Sequence, residues 1–154
     1  DADRERLAIT TEVETAATGI ARERLHEVTR RAYDEADIGR DGARTTTSGL
    51  TPTSSFGRDT GETTEATFDD LDDFHAQVRP DTVQWNGRDL IFRDSIVVRY
   101  IVPETAAASS SQTLAKEVTV TVTAAPAGFI GRAGVAARLR RIVTPSSSVS
   151  HSTN

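Results

Sequence analysis

ERLAITTEVETAATGIARERLHEVTRRAYDEA, residues 5–36, is the stretch on which the reading of this fold turns. Leu7, Val13, Ala17, Ile20, Leu25, Val28, Ala32 and Ala36 recur at spacings near three and four, and Ile9 and Ala16 widen the stripe. That period is one apolar face of a helix. Glu12, Glu14, Arg22, Glu23, Arg24, Glu27, Arg30 and Arg31 fill the other face, which reads as solvated. Gly19 is a weak point, costing about 1 kcal/mol relative to Ala. Gly39 supplies a left-handed stop. At about 1.5 Å per residue the rod is roughly 48 Å long. One small sheet cannot cover that length, so the N-terminal part is expected to project or fray.

The segment that follows connects the helix to the sheet, over residues 37–81. Residues 40–67 are rich in Thr, Ser and Gly, and only Leu50 and Phe56 offer apolar anchors. This is the composition of a long surface loop. It ends in Phe68-Asp69-Asp70-Leu71-Asp72-Asp73-Phe74-His75. One helical turn would aim Phe68, Leu71 and Phe74 inward and throw Asp69, Asp70, Asp72 and Asp73 outward. Four such carboxylates repel one another unless water, arginine or a cation offsets them. Calcium suits hard oxygen donors, which makes Asp69, Asp70, Asp72 and Asp73 the chain's calcium candidate. The twelve-residue EF-hand loop is missing, however. Capping and solvation are the preferred role, and no metal or other cofactor is expected.

From residue 82 the period changes to 2, and residues 82–143 read as a sheet. Val83 and Trp85 alternate, then Asn86-Gly87 signals a two-residue hairpin turn. Leu90, Phe92, Ile96, Val98, Tyr100 and Val102 share one parity. Asp94 interrupts it, which suggests a bulge near 93–95. Val118, Val120 and Val122 alternate with Thr119, Thr121 and Thr123, a half-buried antiparallel strand. A last strand near Val135–Val143 is expected to bury Val135, Leu139 and Val143, with Arg138 and Arg140 opposite. Residues 144–154 have the composition of a disordered tail. The expectation is an α+β fold: a single domain over 1–143, its long N-terminal helix packed on a three- to four-stranded antiparallel sheet.

Composition narrows the function. The 154 residues carry a net charge of −5 and no basic patch, so no nucleic-acid partner is expected. There is no cysteine, which excludes disulfides and thiolate chemistry. No apolar run here approaches the roughly 20 residues of a membrane span. Asp1 is not a Met, so an upstream segment is expected. His26, His75 and His151 lack metal-ligand spacing, and the P-loop and Gly-x-Ser-x-Gly patterns are absent. No enzyme is expected; a hydrolase using the carboxylates of 69–73 ranks third among the functional readings.

This order of parts resembles the soluble region of type IV pilin-like proteins, most closely minor prepilins of the mannose-sensitive haemagglutinin type. The similar residues are Ala21–Val28 through Ala32–Glu35, the acid box 68–75, the strand Ile96–Val102, and Ala115–Val122. The resemblance implies a structural subunit of a type IV pilus or a type II secretion-like filament. An upstream apolar half-helix would anchor it in the inner membrane before assembly, with display at the cell surface or in the periplasm afterwards. Its partners would be other pilin or pseudopilin subunits, contacted through Leu7, Val13 and Ile20. The sheet and the 40–67 loop would face outward. The alternative is a free-standing secreted or periplasmic α+β binding module with the loop and acid box as its ligand site.

Overall fold

A computed structural model describes residues 2–39, 42, 44–125 and 134–145, with side chains described at all of these except 5–9, 85, 88 and 125. The fold is α+β. A helix, α1 (Ala2–Thr29), precedes four strands: β1 (Val78–Trp85), β2 (Arg88–Tyr100), β3 (Lys116–Ala125) and β4 (Val135–Val143). The strands form one antiparallel meander in the order β1-β2-β3-β4. Asn86 and Gly87 make the β1–β2 turn with φ of 48° and 73°, the positive values that a tight hairpin requires.

The helix is 28 residues long and stops short of the expected Ala36. Competing hydrogen bonds explain the difference. The Thr29 hydroxyl donates back to the Leu25 carbonyl at 2.7 Å, and Arg31 N–H reaches only to Val28 O. Ala32 is then drawn into a parallel bridge with Asp70: its N–H donates to Asp69 O at 3.1 Å, and Leu71 N–H donates to its carbonyl at 3.0 Å. A tertiary bridge takes the backbone groups that a further helical turn would have used. Gly39, with φ of 71°, ends the short turn Glu35–Asp37–Ile38 rather than α1.

The inner face of the sheet is set by the alternation of β2 and β3. Leu90, Phe92, Ile96, Val98 and Tyr100 are buried, as are Val118, Val120 and Val122 across the ladder. Val13, Ala17, Ala21, Leu25 and Val28 of α1 close over the β3–β4 half of this face. The β1–β2 half is covered by the connecting segment, through Leu50, Phe68, Leu71 and Phe74. Phe56 stacks its ring near Tyr100 and His75, at centroid distances of 5.3 and 5.7 Å. The segment between helix and sheet therefore forms half of the layer that buries the core, and is more than a displayed loop.

Three further expectations change. Asp94 makes no bulge: β2 pairs continuously with both neighbours through residues 93–95, and Asp94 points into the core fully buried. The irregularity lies instead at the far end of the sheet, where Val122 pairs with Ala137 but Thr123 with Val135. The extra residue, Ala136, reverses the parity of β4, so Val135 is exposed while Leu139 and Val143 pack on the core. Arg24, expected on the solvated face of the helix, is fully buried. The opposite face of the sheet stays open and carries Val78, Ile91, Val97 and Ile142 among Thr119, Thr121, Arg138 and Arg140. The tail residues 146–154 lie outside the described residues.

Candidate functional site: an acidic pocket above two buried ion clusters

Charge inside this molecule is organised at three places, each of which uses the connecting segment. The first surrounds Arg24. Its Nε donates to Asp94 Oδ1 at 2.9 Å. Its two terminal nitrogens grip both oxygens of Glu65 at 2.6 and 2.9 Å, and Nη1 also reaches Glu27 at 3.1 Å. A planar fork against a carboxylate is the arrangement in which a buried guanidinium recovers most of its lost hydration. Arg79 of β1 completes the cluster, within 3.4 Å of Asp94 and 3.2 Å of Asp81. Burial and a hydrogen bond with the Asp81 carboxyl push the Asp94 carboxyl up to about 6, against the pull of Arg24. Oδ2 of Asp81 and Oδ2 of Asp94 accept no hydrogen bond from the rest of the described protein, and Arg79 Nε stands 3.4 Å from the latter.

The second cluster is built on Lys116, the chain's single lysine beside seventeen arginines. Its ammonium is fully buried and satisfies all three donors, with Tyr33 O at 2.6 Å, Asp72 Oδ1 at 2.8 Å and Asp34 Oδ2 at 3.0 Å. The rings of Tyr33, Tyr100 and Phe56 surround it at 4.5, 5.1 and 5.3 Å. Asp34 is buried, but Lys116 and donors from Thr51 and Ala36 outweigh that cost and hold its carboxyl below the ordinary value. Asp72 is also buried and has the weaker set of donors, so its carboxyl is pushed up. The cluster ties together the end of α1, the connecting segment and the start of β3.

The third is the acidic pocket. The acid box buries Phe68, Leu71 and Phe74 as expected, with the two Phe rings edge to face at 4.9 Å. Its carboxylates do not all face outward: Asp70, Asp72 and Asp73 are buried, and only Asp69 is exposed. The cause is the bridge between Ala32 and Asp70, which keeps 69–70 out of a helical turn, so that the turn starts only at Leu71 and covers Asp72–Phe74. Asp73 Oδ2 accepts from the N–H groups of Asp69 and Asp70 at 3.0 and 3.1 Å, and Asp70 Oδ1 accepts from Asp73 N–H at 3.1 Å. These bonds consume one oxygen of each residue. Asp70 Oδ2 and Asp73 Oδ1 remain buried with no partner.

Asp70 and Asp73 each belong to a carboxylate triad. Oxygens of Glu35, Asp69 and Asp70 lie within 4.8 Å of one another, as do those of Asp59, Glu62 and Asp73. The triads adjoin through Asp73, whose Oδ2 accepts from the N–H groups of Asp69 and Asp70 in the other triad. Asp59 N–H donates to Glu62 Oε2 at 2.8 Å and Glu62 N–H to Asp59 O at 3.1 Å, which curls the 59–62 segment toward Asp73. Among the described residues, none of the six carboxylates is in a salt bridge. Burial, then the charges of Asp72 and Asp73, push Asp70 up to about 9. Burial, then Glu62 and Asp59, push Asp73 up to about 7.

The expected calcium set was Asp69, Asp70, Asp72 and Asp73. Three of these converge on the pocket, while Asp72 is committed to Lys116. Glu35, Asp59 and Glu62 were not foreseen. They lie up to 38 residues from Asp73 in sequence, and no spacing pattern links them to the acid box. His75 takes a structural role, with Nδ1 accepting from Val98 N–H at 3.0 Å and burial lowering its affinity for a proton. Of the expected subunit contacts, Val13 is buried in the chain's own core, Ile20 is half-buried against it, and the Leu7 side chain lies outside the described residues. A separate cleft of about 200 Å³ at the end of α1, lined by Arg31, Tyr33, Asp37, Arg44 and Val143, is below the ~300–1,000 Å³ of typical small-molecule sites.

Comparison with known proteins returned no match: no protein-family model, no curated sequence and no solved structure aligns significantly with the chain. Among the described residues, no helix is long and apolar enough to cross a membrane.

Proposed function

We propose that this chain is the head region of a filament subunit of the pilin or pseudopilin type, joined to its neighbours through the N-terminal turns of α1. The observation that carries the reading is the mismatch between helix and sheet. α1 starts at Ala2, yet among the described residues its first core side chain is Val13. The eleven residues before it span about 16 Å at the helical rise. Among them Ala2, Asp3, Arg4, Thr11 and Glu12 are exposed. A helical stretch that presents such side chains at the surface is what an assembly element needs. Val13 is withdrawn as a contact, since burying it twice is impossible; the interface lies before it, with Ile20 at its margin.

On this reading the partners are other subunits of the same filament. Anchoring in the inner membrane before assembly and display at the cell surface or in the periplasm follow from the resemblance of the helix, acid box and strands to pilins. The Lys116 cluster supports the division of labour. It locks α1 to the sheet at the opposite end from those residues, so that load on the helix is passed to the head.

The test uses the full gene in its native cell. A photo-crosslinking residue at Thr11 or Glu12 is expected to give a ladder of envelope-associated multimers, and the same residue at His26 to give monomer. Monomer from all three positions, in cells shown to express the folded chain, would refute the filament reading and favour a free-standing binding module.

A further inference from the structure

The structure assigns divalent-cation binding, calcium by its donor set, to the two adjoining carboxylate triads Glu35–Asp69–Asp70 and Asp59–Glu62–Asp73. Three observations converge on it. Six carboxylates from three separate chain segments adjoin with no ion pair among them, whereas every other buried carboxylate cluster in the described residues is built around Arg or Lys. Two of the six, Asp70 and Asp73, are at most 1 % exposed, and each leaves one oxygen without a donor within the triads. Their other oxygens are fixed by backbone N–H groups, so the free oxygens cannot turn away to recover a partner.

An unpartnered buried carboxylate is among the costlier features a fold can carry. Water reaches the exposed members, but the buried oxygens of Asp70 and Asp73 need a proton or a hard cation. All the donors are oxygens, and there is no nitrogen or sulfur donor in either triad, which favours calcium or magnesium over zinc or copper. The irregular set, with exposed Asp59, Asp69 and Glu35 free to adjust, suits the flexible coordination of calcium better than the strict octahedron of magnesium. An ion in the first triad would join the turn that follows α1 to the acid box, and one in the second would join the 59–62 segment to it. The inference does not depend on the filament reading.

The test starts from chelator-treated protein at pH 7.5. Titration with calcium chloride is expected to give saturable heat, and the melting temperature to rise by several degrees at millimolar calcium, with a smaller response to magnesium. D59N/E62Q and E35Q/D69N alter exposed or half-exposed groups and leave the backbone-capping oxygens of Asp70 and Asp73 in place. At least one of these double variants is expected to lose tenfold or more in calcium affinity while keeping the wild-type circular dichroism spectrum. Absence of both heat and a melting shift in the folded wild type overturns the site. Unchanged affinity in both double variants overturns its placement, and an equal magnesium response overturns the choice of ion.

Discussion

Asp94→Asn is expected to make the protein more stable at neutral pH, although it removes a charge that touches two arginines. Asp94 is fully buried between Arg24 and Glu27 on α1, Glu65 on the connecting segment, and Arg79 and Asp81 on β1. With Asp94 ionised these groups hold two positive and four negative charges, so losing its proton costs more in the folded chain than in water. Burial and the hydrogen bond with Asp81 raise the Asp94 pKa to about 6, above the ordinary 3.8. The sign follows from linkage: between those values the folded state holds a proton that the unfolded state has released, so stability falls as pH rises from about 4 to about 7. A displacement of roughly two units is worth at most about 3 kcal/mol. Adjustment of half-exposed Arg79 lowers this, to an expected 1–3 kcal/mol. Asn keeps Oδ1 for Arg24 Nε and offers an N–H to Asp81, imitating the protonated acid at every pH. Urea unfolding of both proteins in chelator at constant ionic strength, from pH 4 to 8, is the assay. The difference between them should be near zero at pH 4 and favour the variant by about 1–3 kcal/mol at pH 7.5. Asp70 and Asp73 are common to both proteins and cancel. A difference that does not change with pH, or one favouring wild type more strongly at pH 7.5 than at pH 4, would refute the raised pKa of Asp94.

Lys116→Met should be the most damaging single substitution, because it leaves Asp34 and Asp72 buried without their counter-charge. Equilibrium denaturation is expected to show a loss of about 3–5 kcal/mol, and a loss below 1 kcal/mol would mean the cluster adds little. Gly19→Ala should stabilise by about 1 kcal/mol, since Gly19 is an exposed helical position and an added methyl group meets nothing within 4 Å. A melting temperature unchanged or lowered by this substitution would place residue 19 against something other than solvent.

What the sequence discloses, and what it hides, divides along one physical line. Apolar residues announce their surroundings by period, because hydrophobic burial is non-directional and needs only the right face. The stripe Val13–Val28, the Asn86-Gly87 turn and the alternations of β2 and β3 are all legible for that reason. Charged residues announce only a preference for water, and that preference is overruled by partners that the sequence does not place. Arg24 sits among Glu residues in sequence and reads as solvated; what buries it is Asp94, seventy residues away, together with Glu65. Asp94 in turn reads as a break in a strand only because its partner is out of sight. The acid box misleads in the same way: its Phe-x-x-Leu-x-x-Phe spacing gives the buried apolar set correctly, but the bridge from Ala32 decides where the carboxylates go. The same bridge ends α1 seven residues early. Lys116 carries a compositional signal of its own. In a chain that elsewhere places arginine at every basic position, a single lysine marks a site where a compact ammonium with three diverging donors fits and a planar fork does not. It stands at the start of a Val–Thr strand, on the same parity as Val118, Val120 and Val122, so strand alternation by itself directs this one charge into the core.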